Sequence, residues 1–462
     1  MKRILAAAVI SILAILAASG QQTKSPGVNA PQAAVAPSPE FLKAADEVLA
    51  DMGRILDLPP KESLKKSLRS KEEIRAYLVK EMNEDRSPAE RAADEKVLEA
   101  FGLLPRGFPL ESFLLDVLTD QVAGLYDPKE HEFYIADWIP ADEQKPVMAH
   151  ELTHALDDQY FHIDAWEKAA RPNDDAELAR DSVIEGSAIA AMLDYTLRDS
   201  KLSIREMPDV TALLSSQALG EMAKDPHLAK APPIIGDELL FPYLAGTGFS
   251  QKFLKSNTGW GDFKKVFADP PVSTQQILHP ELYLSGQKPA NVTLPDISAA
   301  LPVGWKKLEE NVLGEFGLNE VLKQFLGQER AEKDSPSWAG DRYVLYQNEK
   351  EDRRLLIYRL HLRSPDAATD FMSEYSELLQ LKYKVRTPVH KQGETLWFQA
   401  GAGGVYLRCH ESECLVVEGA EREWFDKINQ AMGWAAVSQS SQSTYISPTP
   451  ETAVPTPVAE AR

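Results

Sequence analysis

Cysteine is scarce: the 462 residues contain only Cys409 and Cys414. Two cysteines cannot build a zinc site without other ligands. Their C-x4-C spacing suits either a disulfide across a hairpin in an exported chain or two free thiols. A bridge over so short a loop adds little stability. Positive charge is also short, with 50 Lys and Arg against 70 Asp and Glu, a net charge of −20 and a pI near 5.0. That balance argues against gripping nucleic-acid phosphates or docking on anionic lipid, and it favours solubility.

Long apolar runs are missing except at the start. Ile4 to Ala17 carries no charge, follows Lys2 and Arg3, and precedes the small residues Ala18-Ser19-Gly20. This reads as a secretory signal over residues 1–20, shorter than the ~20 residues that span a bilayer. An uncleaved anchor is the alternative. No cysteine near residue 20 offers a lipid-anchor site. Cleavage would remove two positive and no negative charges, taking −20 to −22. The mature chain is expected to have no membrane span and to be periplasmic or extracellular.

What is present suggests two folded units with flexible ends, since 462 residues are too many for one ordinary domain and 44% hydrophobic content is ample for cores. Residues 21–40 read as a flexible linker. Residues 41–105 carry helical patterns punctuated by Pro59-Pro60 and Ser87-Pro88. Gly124-Leu-Tyr-Asp-Pro and Glu132-Phe-Tyr-Ile-Ala flank turn residues and predict a β-hairpin. Pro146 opens a helix, and a second helix is expected from Asp175 to Leu197. Residues 106–290 form one expected domain. Residues 300–436 alternate strands and helices, predicting a C-terminal α+β domain with an antiparallel sheet and helices on one face. Residues 437–462 are rich in Ser, Thr and Pro and read as a disordered tail. The fold class is thus α+β, mostly helical.

The chemical signal lies in His150-Glu151-Leu152-Thr153-His154. A spacing of four puts both imidazoles on one helix face, and neutral imidazole is a good zinc ligand. Glu151, beside the first ligand, can serve as a general base without binding the metal. A catalytic zinc usually takes three protein ligands and leaves a position for water. The H-E-x-x-H-x-x-G-x-x-H extension is absent, because Asp157 and Tyr160 replace its glycine and last histidine. Glu185 is the better third ligand, 185 − 154 = 31 residues downstream in Val183-Ile184-Glu185-Gly186-Ser187-Ala188. A carboxylate in such an apolar stretch is costly unless it meets a cation. Gly186 and Ala188 are expected to let this helix approach the motif helix closely.

His-Glu-Leu-Thr-His-Ala followed by Glu-Gly-x-Ala resembles the gluzincin, or thermolysin-like, zinc metallopeptidases, and more closely a group of exported bacterial zincin-like proteins. The resemblance covers roughly residues 106–286 and includes Gly124-Leu-Tyr-Asp-Pro, Phe241-Pro242-Tyr243 and Ser273 to Pro280. It implies one Zn2+ held by His150, His154 and Glu185, with Glu151 as general base. It also implies a zincin-like catalytic domain whose edge strand, here Phe133–Ala136, pairs with an extended peptide or protein substrate. The aminopeptidase signature Gly-x-Met-Glu-Asn is missing, which leans toward endopeptidase action.

Three further expectations concern neighbouring side chains. Asp157, Asp158 or Asp181 would orient a ligand imidazole, unless they are simply solvated acids. Tyr243 or His279 would stabilise an oxyanion; the sequence alone does not choose between them, and His279 before Pro280 also suits a helix C-cap. Two other functions remain open on the sequence: a binding or scaffold protein with a non-catalytic zinc site, and a zinc hydrolase acting on a non-peptide bond.

Overall fold

Local signals set where the first helix begins. The Ser38 hydroxyl accepts the Phe41 N–H and Pro39 occupies the first turn, so α1 (Pro39–Ile55) starts inside the expected linker. The computed structural model describes residues 37–434, apart from 142, 223 and 386–388, together with 444–446. The signal segment 1–20 and most of the linker lie outside the described residues.

Strand β1 (Lys65–Arg69) is followed by α2 (Lys71–Asp85), which opens on a reciprocal capping box between Ser70 and Glu73. Then come α3 (Pro88–Phe101) and α4 (Leu110–Gln121). The expected hairpin is present as β2 (Gly124–Asp127) and β3 (Glu132–Ala136), antiparallel with Tyr126 opposite Phe133. The Asp127 carboxylate shapes its turn by accepting the Lys129 and Glu130 N–H groups. Helices α5 (Gln144–Phe161), α6 (Ile163–Lys168), α7 (Asp174–Leu197), α8 (Thr211–Met222) and α9 (Pro233–Ser256) follow, then the short α10 (Lys264–Ala268), α11 (Thr274–Leu278) and α12 (Pro280–Leu284).

The chain divides into two units, residues 1–95 with 106–288, and residues 96–105 with 289–462. The N-terminal helical region therefore does not stand apart: most of it builds the first unit. There α1 packs on α5, and Phe41 stacks on Phe133 with ring centroids 6.3 Å apart. Strand β1 pairs in parallel with β3, Ser67 opposite Tyr134. The three-stranded order is β1-β3-β2, so Phe133–Ala136 is the central strand and not the edge expected for it. Among the described residues, the free edges belong to β1 and β2.

The second unit is α+β. It contains β4 (Trp305–Asn311), α13 (Gly314–Leu326), α14 (Gln328–Asp334), β5 (Trp338–Asn348), β6 (Arg353–Leu362), α15 (Pro365–Lys382), β7 (Val389–Gln392), β8 (Thr395–Ala400), β9 (Gly403–His410), β10 (Glu413–Ala420), α16 (Arg422–Ala431) and β11 (Thr444–Ile446). The eight strands form one antiparallel sheet in the order β11-β7-β8-β9-β10-β6-β5-β4. Helices cover both of its faces, not one. Leu415 and Val417 of β10 face Trp424, Phe425 and Ile428 of α16 in one core. On the other face, Cys414 approaches the Ala368 carbonyl of α15, and Lys382 bonds Glu418. Burial on both faces explains why β10 is apolar almost throughout instead of alternating. Cys409 lies directly opposite Cys414 on β9 and β10, and the two form a disulfide. Within the tail expected to lack structure, Thr444–Ile446 pairs with β7; the rest of that tail lies outside the described residues.

Candidate metal centre

Both ligand-bearing helices are interior. Helix α5 is buried continuously from Val147 to Asp158, and α7 is buried over most of its length. Their sequences lack a solvent-facing stripe where they meet, so the polar groups of the motif must find partners inside. His150 Nε2 and His154 Nε2 are 2.9 Å apart, with the rings edge to face. Glu185 Oε2 lies 3.2 Å from the first nitrogen and 3.5 Å from the second. A tetrahedral ion with bonds of ~2.0–2.1 Å separates its ligands by about 3.3 Å. The three observed separations bracket that value. His150, His154 and Glu185 are 0%, 7% and 6% exposed, and together they can hold a metal ion.

The electrostatics suit a bound cation. Burial holds the His150 imidazole down to about 4, against the pull of Glu185. Burial also opposes charge on His154, but Glu185, with help from Glu151 and Asp157, outweighs it and raises that group to about 9. Burial opposes ionisation of Glu185 too, and the two histidines overcome it and hold the carboxyl low. Glu185 favours a proton on His154, and a divalent cation would compete with that proton for the same ligand atoms.

Glu151 is 2% exposed, and burial raises its carboxyl to about 8, with His154 opposing and Glu185 reinforcing the rise. Its Oε1 has no hydrogen-bond partner, while the Tyr126 N–H of β2 steadies the carboxylate. Strand β2 can come this close because residue 124 is glycine. A Cβ there would lie 2.7 Å from Val147 Cγ1 and 3.0 Å from Glu151 Cγ.

Helix α9 closes the centre from the other side. Gly186 makes its tightest approach to another element than the motif helix. It meets Gly246 of α9, where a Cβ on either glycine would fall inside the opposing backbone. That crossing sets Tyr243, one turn before Gly246, against His150 and Glu185. The Tyr243 ring stacks on His150 with centroids 6.2 Å apart. Its hydroxyl makes no hydrogen bond of normal geometry, yet it lies close enough to Glu185 for that carboxylate to add to the burial that holds its pKa well up. His279 ends α11 and opens α12, the capping role its sequence suggested, with its side chain 28% exposed.

The acids near the ligands take other roles than those expected. The Nδ1 atoms of His150 and His154 are buried and bond no protein group, so Asp157, Asp158 and Asp181 do not orient them. Asp158 instead accepts the Tyr126 hydroxyl at 2.9 Å and the Ile163 N–H at 3.1 Å, tying β2 to the end of α5. Asp157 is buried and raised to about 7 by that burial, with His154 opposing. The hairpin was expected, but the place of β2 and Tyr126 beside Glu151 was not. The Gly124-Leu-Tyr-Asp segment held the signal, since a glycine opening a strand marks a close backbone approach.

Among the described residues no helix is long and apolar enough to cross a membrane. A family model described as "Domain of unknown function (DUF8575)" matches residues 302–429, within the second unit. No curated protein and no solved structure matches the chain.

Proposed function

We propose that the protein is a zinc-dependent peptidase acting inside peptide chains. The observation that carries this reading is the buried set of two imidazoles and one carboxylate at tetrahedral spacing, with the unsatisfied carboxylate of Glu151 beside it. Two nitrogens and one oxygen suit zinc and leave a coordination position open. Zinc bound there would supply Lewis acidity, polarising a carbonyl and lowering the pKa of water.

The chain's own residues supply the rest. Glu151 takes a proton from the attacking water and hands it to the leaving amine; a carboxyl held near neutrality by burial suits both transfers. Tyr243, protonated throughout the physiological range, offers its hydroxyl to the developing oxyanion. Among the described residues, strand β2 has β3 on one side and no strand on the other. An extended peptide added to that free edge runs past Glu151, and main-chain pairing gives affinity with little side-chain selectivity. Activity outside the cytoplasm is supported by the charged and apolar start of the chain and by the disulfide, which suits an oxidising compartment.

The test is digestion of a mixed peptide library by zinc-loaded full chain and by Glu151→Gln, with products read by mass spectrometry. Internal cleavage by wild type alone is expected. Equal products from both proteins, or none from either, would overturn the reading.

A further inference from the structure

One turn beyond His154, the same face of α5 borders a cavity of about 140 Å³. A cavity of ~150 Å³ is large enough to take benzene, so this one holds the end of a single side chain. Five aromatic residues wall it: Tyr160, Phe161, Trp260, Phe263 and Phe267. Their positions are fixed by one another. Phe161 stacks on Phe267 at 4.1 Å, Phe263 meets Trp260 at 5.4 Å, and the Trp260 indole N–H bonds Asp194 at 2.8 Å. Both helices that carry metal ligands contribute, since Ser187 of α7 lines the same space.

The charged groups are asymmetric. Asp157 lines the cavity, is 4% exposed, and receives no hydrogen bond or ion pair from any described residue. A carboxylate this deep without a donor is costly to keep. Asp57 adds a second carboxylate on an exposed residue, close to Gly261. The single base in the lining, Lys264, is also exposed. Aromatic faces attract cations, and the Lys61 ammonium already sits 3.5 Å above the Tyr160 ring. Apolar or acidic groups would leave Asp157 unpaired, and a neutral donor would leave its charge uncompensated; a planar or rounded cation would pair with it and use the walls.

We propose that this cavity accepts an organic cation, the guanidinium or ammonium end of an arginine or lysine side chain of the substrate. The source of the cation rests on the peptidase reading; the cation site itself does not. The site adds side-chain selectivity that main-chain pairing at β2 lacks.

The experiment is calorimetric titration of the full chain with n-butylguanidinium and with its neutral isostere n-butylurea, in wild type, Asp157→Asn and Glu151→Gln. Peptides differing only in arginine or citrulline are titrated into Glu151→Gln, which binds without cutting. Wild type is expected to prefer butylguanidinium by about tenfold or more, Asp157→Asn to lose that preference, and Glu151→Gln to keep it. Should Asp157→Asn fail to fold by circular dichroism, Asp57→Lys at the exposed position replaces it and must weaken the cation severalfold. Equal affinity for the urea, or a preference unchanged in both aspartate variants, would overturn the cation site. Butylguanidinium binding without discrimination between the arginine and citrulline peptides would overturn the side-chain source and assign the cavity to a free organic cation. Cation binding that survives while no peptide is cleaved would sink the peptidase reading alone.

Discussion

Gly186 and Gly246 touch backbone to backbone where α7 crosses α9. The contact positions two functional side chains at once, because Glu185 precedes Gly186 in α7 and Tyr243 lies one turn before Gly246 in α9. Any side chain at either glycine must push the helices apart. Overpacking of a core typically costs about 1–3 kcal/mol, and a backbone collision belongs at the upper end. Gly186→Ala and Gly246→Ala are each expected to lose about 3 kcal/mol in urea unfolding and to weaken metal binding. Ala188→Gly, a neighbouring change without that collision, is expected to keep the metal.

The centre has a pH signature in the metal-free chain. Glu151 is raised from the ordinary carboxylate range to about 8, so the folded state holds its proton more tightly than the unfolded state does. Its contribution is therefore full below about 4.5 and is lost as pH rises toward 8. His154, raised to about 9, also contributes at low pH, and that part is lost between about 6.5 and 9. Glu151→Gln removes the first component and the small share of the second that Glu151 contributes. It is expected to stabilise the metal-free chain by about 2 kcal/mol at pH 7 and to leave it unchanged at pH 4, as read by denaturant melts at the two pH values.

Tyr243 and His279 are separable by turnover. Phenylalanine at 243 keeps the stacking on His150 and removes only the hydroxyl. Tyr243→Phe is expected to lower kcat about a hundredfold with KM little changed, the behaviour of an oxyanion donor. His279→Ala is expected to change kcat by less than about threefold. Steady-state kinetics on one cleaved peptide decide the assignment, and the reverse ranking would move the oxyanion role to His279.

The disulfide is a local brace. Cys409 and Cys414 close a very short loop, so reduction removes little chain-entropy restraint. Replacing both by serine is expected to cost no more than about 2 kcal/mol and to leave metal content unchanged, measured by thermal melting and elemental analysis.

The cluster of three side chains was legible because helical spacing fixes which side chains share a face: His150 and His154 are one turn apart, and Glu185 stood out as a carboxylate in an apolar run. What α7 packs against was not legible, since a small residue permits a close approach without naming the partner. The edge position belongs to β2 and not to β3 for a related reason. Lys65-Lys-Ser-Leu-Arg carries charges and no apolar alternation, so β1 gave no strand signal, yet it pairs with β3 and turns it into a central strand. Strand β4, with Lys306, Lys307, Glu309 and Glu310, was hidden in the same way. Exposed edge strands keep charges that discourage pairing with other molecules, and those charges erase the period-two pattern. The second unit's helices on both faces were missed because the continuous burial of β10 fits a strand covered twice as well as a buried helix segment.

The central claim is that His150, His154 and Glu185 hold one zinc ion. Its most direct test is elemental analysis of the full chain purified without chelator and reconstituted with zinc, for wild type, Glu151→Gln, His154→Ala and Glu185→Ala. About one zinc per chain is expected in wild type and Glu151→Gln, and a clear loss in His154→Ala and Glu185→Ala. No zinc in reconstituted wild type, or equal zinc in all four proteins, would contradict it.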